Sequence, residues 1–304
     1  MNILVTGAGG FLGKRLAEYL GHKHTVYGLI HDKLPWPCKW KPINGDVKDY
    51  PRLLEILVDR EIQQVYHLAA KAIVRNCKCD PIGCFDTNVL GTANLLEAAR
   101  HCDTIEGILC MESDKAYGPG PVPYKEAQAL QPESIYEASK ACVTHLVTAY
   151  WHSYRIPCAS IRSANVYGPD DENMTRLIPN TITRLLRGER PQIVAGVKKF
   201  VREFFYVDDF VSTAIALMDA KPWGEVFNVG SGEIVSVGEL VAMICKLMDA
   251  EQATDEWRKP ANLVEIPEQV LCLDKLDALL PDRKTLPLRE GLQRTIEWYR
   301  KQSR

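Results

Sequence analysis

No uninterrupted apolar run in the 304 residues approaches the ~20 that a membrane-spanning helix needs, so a helical membrane protein is not expected. Neither sign of charge is in excess. Lys plus Arg number 37 against 39 Asp plus Glu, a formal charge of −2, which removes any bulk attraction to nucleic acid. An anionic ligand must therefore be held by a few local groups. Repeats and low-complexity linkers are missing, so the second half is expected to pack on the first rather than hang from a tether. No basic stretch, apolar h-region or cleavage site precedes Ile3-Leu4-Val5, so no secretory signal is expected. Of the ten cysteines none form a C-x2-C pair, and the one cluster, Cys77, Cys79 and Cys84, has no His near it in sequence. A metal site is not expected. The scatter of the cysteines, with Cys110, Cys142 and Cys158 inside apolar segments, reads as buried free thiols in a reducing cytoplasm.

What is present is ordinary globular material, 46 % hydrophobic and 25 % charged, enough for a core and for one large domain or two unequal ones. The first half alternates short apolar runs with helical-period segments, the pattern of parallel strands joined by crossover helices. Strands are predicted at Asn2-Thr6, Thr25-Ile30, Gln64-Leu68, Ile105-Met111 and Ala159-Ile161, with a further one before Gly45. Helices are predicted at Phe11-Leu20, Tyr50-Arg60, Phe85-His101 and Ser134-Tyr154. The alternation weakens after Gly168-Pro169. Helices near Arg176-Arg187, Phe210-Asp219, Val237-Met248 and Leu288-Lys301 and strands near Phe204-Val207 and Val226-Val229 follow. This predicts an α/β chain: a doubly wound parallel sheet of Rossmann type over residues 1–168, and a smaller lobe over 169–304 from which some segments return to the sheet.

Residues 2 to 13 read as a buried strand, then glycines at 7, 10 and 13, then an amphipathic helix. Gly7 lets the chain turn sharply, Gly10 lets the backbone approach a pyrophosphate, and Gly13 lets helix and strand pack closely. The helix start, at Phe11 and Leu12, offers N–H groups and positive dipole. The Thr-Gly-x-x-Gly-x-x-Gly spacing resembles the short-chain dehydrogenase/reductase superfamily. That resemblance implies an adenine-contacting turn at Asp46-Val47, a cofactor-lining segment at Leu68-Ala69-Ala70-Lys71 after His67, and a structural asparagine at Asn88. An acid ending the second strand grips the ribose of NAD, and an Arg there takes the 2′-phosphate of NADP. Ile30 stands in the acid's place, His31 in that of the Arg, and Asp32 follows. Asp32 would repel a phosphate, so NAD fits better than NADP.

Tyr136 and Lys140, four apart, share one face of a helix. They match the superfamily's Tyr-x-x-x-Lys dyad. A phenol is a poor base at neutral pH, and a nearby ammonium together with the cofactor's positive ring favours its ionised form. The resemblance makes Tyr136 the acid/base on a sugar hydroxyl and Lys140 also a holder of the nicotinamide ribose. Ser113, just past an apolar strand, matches the hydroxyl that hydrogen-bonds the substrate. Past residue 160 the chain resembles nucleotide-sugar epimerases and dehydratases. Asn165, Arg176-Leu177, Arg202 and Arg258 correspond to groups that would hold the nucleotide diphosphate. Asp114-Lys115 resembles the acid and base of 4,6-dehydratases, in the form found in the CDP-glucose type. The resemblance implies a nucleotide-sugar 4,6-dehydratase with bound NAD. A 4-epimerase is the alternative, and a non-catalytic NAD(P)-binding regulator a lesser one. Members of the family commonly pair as homodimers through two helices, here Phe85-His101 and Ser134-Tyr154.

Overall fold

Strands covered by helices on both faces carry apolar side chains on both, which is why the strand runs of the first half are continuous rather than alternating. The computed structural model describes residues 1–31, 38–250, 255–257 and 265–302. In chain order its elements are β1 (Asn2–Thr6), α1 (Phe11–Leu20), β2 (Thr25–Ile30), β3 (Lys41–Asn44), α2 (Tyr50–Asp59), β4 (Gln64–His67), α3 (Val74–Cys79), α4 (Pro81–Phe85), α5 (Gly91–Arg100), β5 (Gly107–Met111), α6 (Ile135–Tyr154) and β6 (Cys158–Ser163). There follow β7 (Asn165–Tyr167), α7 (Leu177–Leu186), β8 (Gln192–Val194), β9 (Val201–Tyr206), α8 (Val207–Ala220), β10 (Val226–Val229), β11 (Ile234–Ser236), α9 (Val237–Leu247), β12 (Asp255–Trp257), α10 (Asp274–Leu279) and α11 (Leu288–Gln302).

Seven strands form one parallel sheet in the order β10-β6-β5-β4-β1-β2-β3. The fold is the expected doubly wound α/β type. Within β1, Ile3 and Val5 face a core shared with Leu16 of α1 and Phe210 and Leu217 of α8. Leu4 faces the opposite core with Leu57 of α2, Leu96 of α5 and Val147 of α6. Strand order reverses at β1, which pairs with both β2 and β4, and such a reversal opens a crevice at the C-terminal strand ends. Beyond β6 the chain builds a second, three-stranded sheet, β11-β9-β7, packed with α7, α9 and α11 around Ile182, Phe204, Leu240 and Leu292. It then returns to the large sheet, where β10 pairs with β6 from Val226↔Ser160 to Val229↔Ser163.

Two local features differ from expectation. The helix predicted over Phe85-His101 opens as a π-helical turn, Asp86–Leu90, before α5. The wide turn carries the buried Asn88, whose side chain reaches Lys71 and Ser139 rather than solvent. Cys77 and Cys84, expected as free thiols, form a disulfide with Cα atoms 5.1 Å apart, and the other eight cysteines are free. The two short helices α3 and α4, hinged at Asp80, which caps α4 through Gly83 N at 3.0 Å, bring those thiols together. Helices of six and five residues are too short to show a period in sequence.

Candidate functional site

At the crevice, Gly7 has φ +69°, a region open to glycine, and a Cβ there would stand 2.8 Å from Ala69 N. Gly10 caps α1 without any side-chain hydrogen bond, so the first N–H groups of the helix, from Phe11 to Gly13, meet no competing side chain at the cap. Leu68 N donates to Thr6 O at 3.3 Å and Ala69 N to Thr6 Oγ1 at 3.1 Å, holding Leu68 to Lys71 against the glycine turn. His67 bridges Thr6 Oγ1 at 2.8 Å and Thr92 Oγ1 at 3.0 Å, and burial pulls its pKa down to about 3, so it stays neutral. Asn88 accepts from Lys71 N at 2.8 Å and donates to Ser139 Oγ at 2.9 Å, joining this segment to α6. At the far end of the crevice the Asp46 carboxylate accepts from Lys48 N and lies 3.8 Å from His31 Nδ1. Hydrogen bonds and charge from Lys48 and His31 keep it below the usual carboxylate range, against the opposing pull of burial. Val47 is buried beside Gly91. Asp32 and Arg258 lie outside the described residues.

The reactive groups converge from three elements. Helix α6 starts with a capping box, Ser134 and Glu137, which fixes its first turn and with it Tyr136, one helical turn before Lys140. Ser113, just beyond β5, caps a short 3-10 turn, Asp114–Tyr117. Its hydroxyl accepts from Lys115 N at 3.2 Å and donates to Asp114 Oδ1 at 3.0 Å. Asp114 is only 3 % exposed, and burial raises its pKa above the usual carboxylate value, with Lys115, Ser113 and Arg202 pulling the other way. Burial also pushes the Tyr136 phenol up to about 12, opposed by its hydrogen bond with Ser113 and by the charge of Arg176. Lys140 is buried, donates to Met111 O at 2.9 Å, and is lowered by burial to about 8. Among the protein's own groups, Ser113 and Arg176 favour the phenolate. Cys77 and Cys84 pack against Tyr136 in one small buried cluster with Val74 and Ile135.

The groups expected on the nucleotide are less uniform. Arg176 pairs with Asp171 at 2.9 Å and lies over the Phe11 ring, 5.7 Å from its centroid, so it stands at the crevice. Leu177 packs between the two apolar clusters of the lobe. Asn165 donates to Glu203 O at 3.3 Å. Arg202 turns inward: its guanidinium donates to Val201 O at 2.8 Å and Pro267 O at 3.2 Å and meets Glu265 at 3.3 Å.

Two groupings carry no signal in the sequence. Behind Ser113, Glu112 and Arg162 form a fully buried ion pair at 3.1 Å, with Thr144 bonded to both. The Arg162 guanidinium stacks 4.7 Å from the Tyr117 centroid. Above the site, the Gln269 amide bonds both Asp114 and Lys115. Each depends on contact between residues far apart in sequence, which no local motif encodes.

Among known proteins, the sequence model of the NAD dependent epimerase/dehydratase family matches residues 3–230. The dTDP-D-glucose 4,6-dehydratase of Bos taurus is 28 % identical over 320 aligned residues, covering 98 % of this chain and 88 % of that one. The solved UDP-glucose 4-epimerase of Thermotoga maritima, with UDP-glucose, is 26 % identical with a TM-score of 0.93 and full coverage of both chains. UDP-glucuronic acid 4-epimerase from Bacillus cereus, in complex with UDP-glucuronic acid and NAD, is 26 % identical with a TM-score of 0.89, covering 99 % of this chain and 100 % of that one.

Proposed function

Because this chain belongs to the NAD dependent epimerase/dehydratase family, we propose that it is a nucleotide-sugar 4,6-dehydratase working with tightly bound NAD. The reaction oxidises C4 of the sugar, removes water across C5 and C6, and returns the hydride to C6. The observation that carries this reading is the buried Asp114 beside the half-buried Lys115, at the strand end that also bears Ser113 and faces Tyr136. A carboxyl whose pKa burial raises and a lysine next to it are the two groups that loss of water needs and that inversion at C4 does not.

The glycine turn and the uncapped start of α1 fit a dinucleotide: Gly7, Gly10, Phe11, Leu12 and Gly13 would hold the pyrophosphate. His31, Asp46 and Val47 would meet the adenosine end, and Leu68 to Lys71 the nicotinamide end. No Arg ends β2, where His31 stands, and this favours NAD over NADP. Bound NAD supplies the acceptor for the C4 hydride and its return to C6. Tyr136 takes the proton of the C4 hydroxyl while Ser113 orients that hydroxyl, and Lys140 holds the ribose. The C4 carbonyl acidifies C5–H, Lys115 takes that proton, and Asp114 delivers one to the departing C6 oxygen. Asn165, Arg176, Leu177 and Arg202 would form the wall toward the nucleotide diphosphate.

A 4-epimerase is the second reading, favoured by the likeness to the Thermotoga maritima enzyme. A panel of nucleotide sugars incubated with the protein distinguishes them: loss of the mass of one water supports the dehydratase, and a C4-inverted product at full mass overturns it. A homodimer paired through α5 and α6 belongs to the same reading, supported by Leu90 and Tyr154, which are large, apolar and exposed beside those helices. So does a place in the cytoplasm, supported by the eight free cysteines, although the Cys77–Cys84 bond runs against it. Among the described residues no helix is long and apolar enough to cross a membrane.

A further inference from the structure

Gln269 comes from the far end of the chain, on a strap that crosses the site. Its backbone N–H donates to Val201 O at 3.1 Å, and the adjoining Val270 O accepts from Tyr124 N at 2.8 Å. The side chain is 1 % exposed. Lys115 Nζ donates to Gln269 Oε1 at 3.3 Å, and Gln269 Nε2 donates to Asp114 Oδ2 at 3.3 Å. With Lys115 as the donor, the amide oxygen is its acceptor and the amide nitrogen is left to donate to Asp114.

We propose that Gln269 is a positioning residue for the elimination of water, a neutral bridge that keeps Asp114 and Lys115 from closing on each other as an ion pair. The inference rests on the dehydratase reading. That reading requires Asp114 to carry a proton and Lys115 to lack one in the same molecule. A direct carboxylate–ammonium contact stabilises the opposite distribution, with the proton on the amine. The amide satisfies both groups without adding charge. It accepts from the amine on one side and donates to the carboxyl on the other.

Other charged and titratable groups face the pair from every side: Arg202 and Glu203 on β9, Tyr136 on α6, and Tyr124 on the loop beneath the strap. These remain when Gln269 is changed, so the variant isolates the bridge. For an acid and base that work with the proton on the less favourable partner, the active fraction falls tenfold for each pH unit by which the two limbs of the rate profile separate. Loss of the bridge therefore has a signature. The maximum falls and the bell widens together.

The experiment is the pH profile of kcat for dehydration by the NAD-loaded enzyme, wild type against Gln269→Ala and the isosteric Gln269→Glu, with KM measured alongside. Gln269→Ala is expected to lower the maximum about tenfold or more and widen the bell by about one pH unit per tenfold, with KM within about twofold. Gln269→Glu puts a carboxylate against both groups, so both limbs move to higher pH. It also serves as the test if the alanine variant fails to fold. A Gln269→Ala enzyme with wild-type height and width, or one whose rate falls with no widening, overturns the proposal. So does a glutamate variant whose limbs do not move. A wild-type product at full mass is a separate outcome, which overturns the dehydratase reading itself and needs no variant to be seen.

Discussion

Replacing Arg162 by Met should destabilise the protein far more than an ordinary single substitution, and the size follows from what the guanidinium touches. Its side chain is 2 % exposed and that of its partner Glu112 0 %. It donates to Glu112 Oε2 at 3.1 Å, to Thr144 Oγ1 at 2.9 Å and to Glu126 O at 3.3 Å, and it stacks on Tyr117. Met fills much of the volume, so the cavity term is small. What remains is a carboxylate in the interior with one neutral donor, Thr144, the charge of Lys140 near it, and a second oxygen, Oε1, that already lacks a hydrogen-bond partner. Breaking a buried pair from one side costs about 3–5 kcal/mol, against a total stability of about 5–15 kcal/mol. At about 2 °C per kcal/mol for a chain of this size, Tm should fall by about 6–10 °C. Thermal and urea unfolding of the NAD-saturated protein measure it. Arg162→Met combined with Glu112→Leu should recover most of the loss, because the stranded charge is then gone. A single variant within about 1 kcal/mol of wild type, or a double variant worse than the single, would refute the reasoning.

Tyr136→Phe should fold normally yet lose about 10²-fold or more in turnover, since only the proton-carrying hydroxyl is removed. Retention of a tenth of the wild-type rate in steady-state assays counts against its assignment. Asp114→Asn should still oxidise C4 but not release water, so enzyme-bound NADH absorbance should build up without a 4-keto-6-deoxy product. Prompt dehydration by that variant is the contrary result. His67, neutral in the fold with its pKa near 3, binds a proton more readily in the unfolded chain, so stability should drop as the pH falls below about 6.5 toward 3. Urea midpoints between pH 6.5 and 5, where most carboxylates stay ionised, should decline in wild type and much less in His67→Gln. Parallel slopes for the two proteins would dismiss the role given to this imidazole.

Elements whose cause is local were legible in the sequence. β1, β2, α1 and β10 have the predicted bounds, because each is an apolar run or amphipathic period closed by its own turn or cap. The predicted start of α6 at Ser134 lies within a residue of the observed one, where Ser134 and Glu137 form a capping box. The short strands β7, β8, β11 and β12 escaped, since three residues show no period and owe their extension to partners elsewhere in the chain. The site divides the same way. Gly7, Ser113, Tyr136 and Lys140 stand in motifs whose spacing can be read along the chain. Gln269 does not, because it reaches Asp114 across 155 positions. Arg202 matched a motif, yet its guanidinium engages the carbonyls of Val201 and Pro267, a competition between backbone and ligand that sequence alone does not reveal.

Because β10 closes the large sheet beside β6, each residue of the sheet's last strand leaves the ribosome 66 residues after its partner, roughly 3–13 s later at 5–20 residues per second. For that interval the backbone of Ser160 to Ser163 presents unpaired N–H and C=O groups along an open edge, a template for any other extended chain. The delay ends when Asn228 arrives, since its side chain accepts from Tyr117 Oη at 2.7 Å and donates to Tyr124 O at 2.8 Å, latching the new strand to the loop that holds Asp114 and Lys115. A nascent chain stalled before this point would carry the whole glycine turn and the Tyr136–Lys140 helix, yet be adhesive rather than active. Synthesis at high level should therefore depend on chaperones that shield a strand edge until residue 229 has emerged.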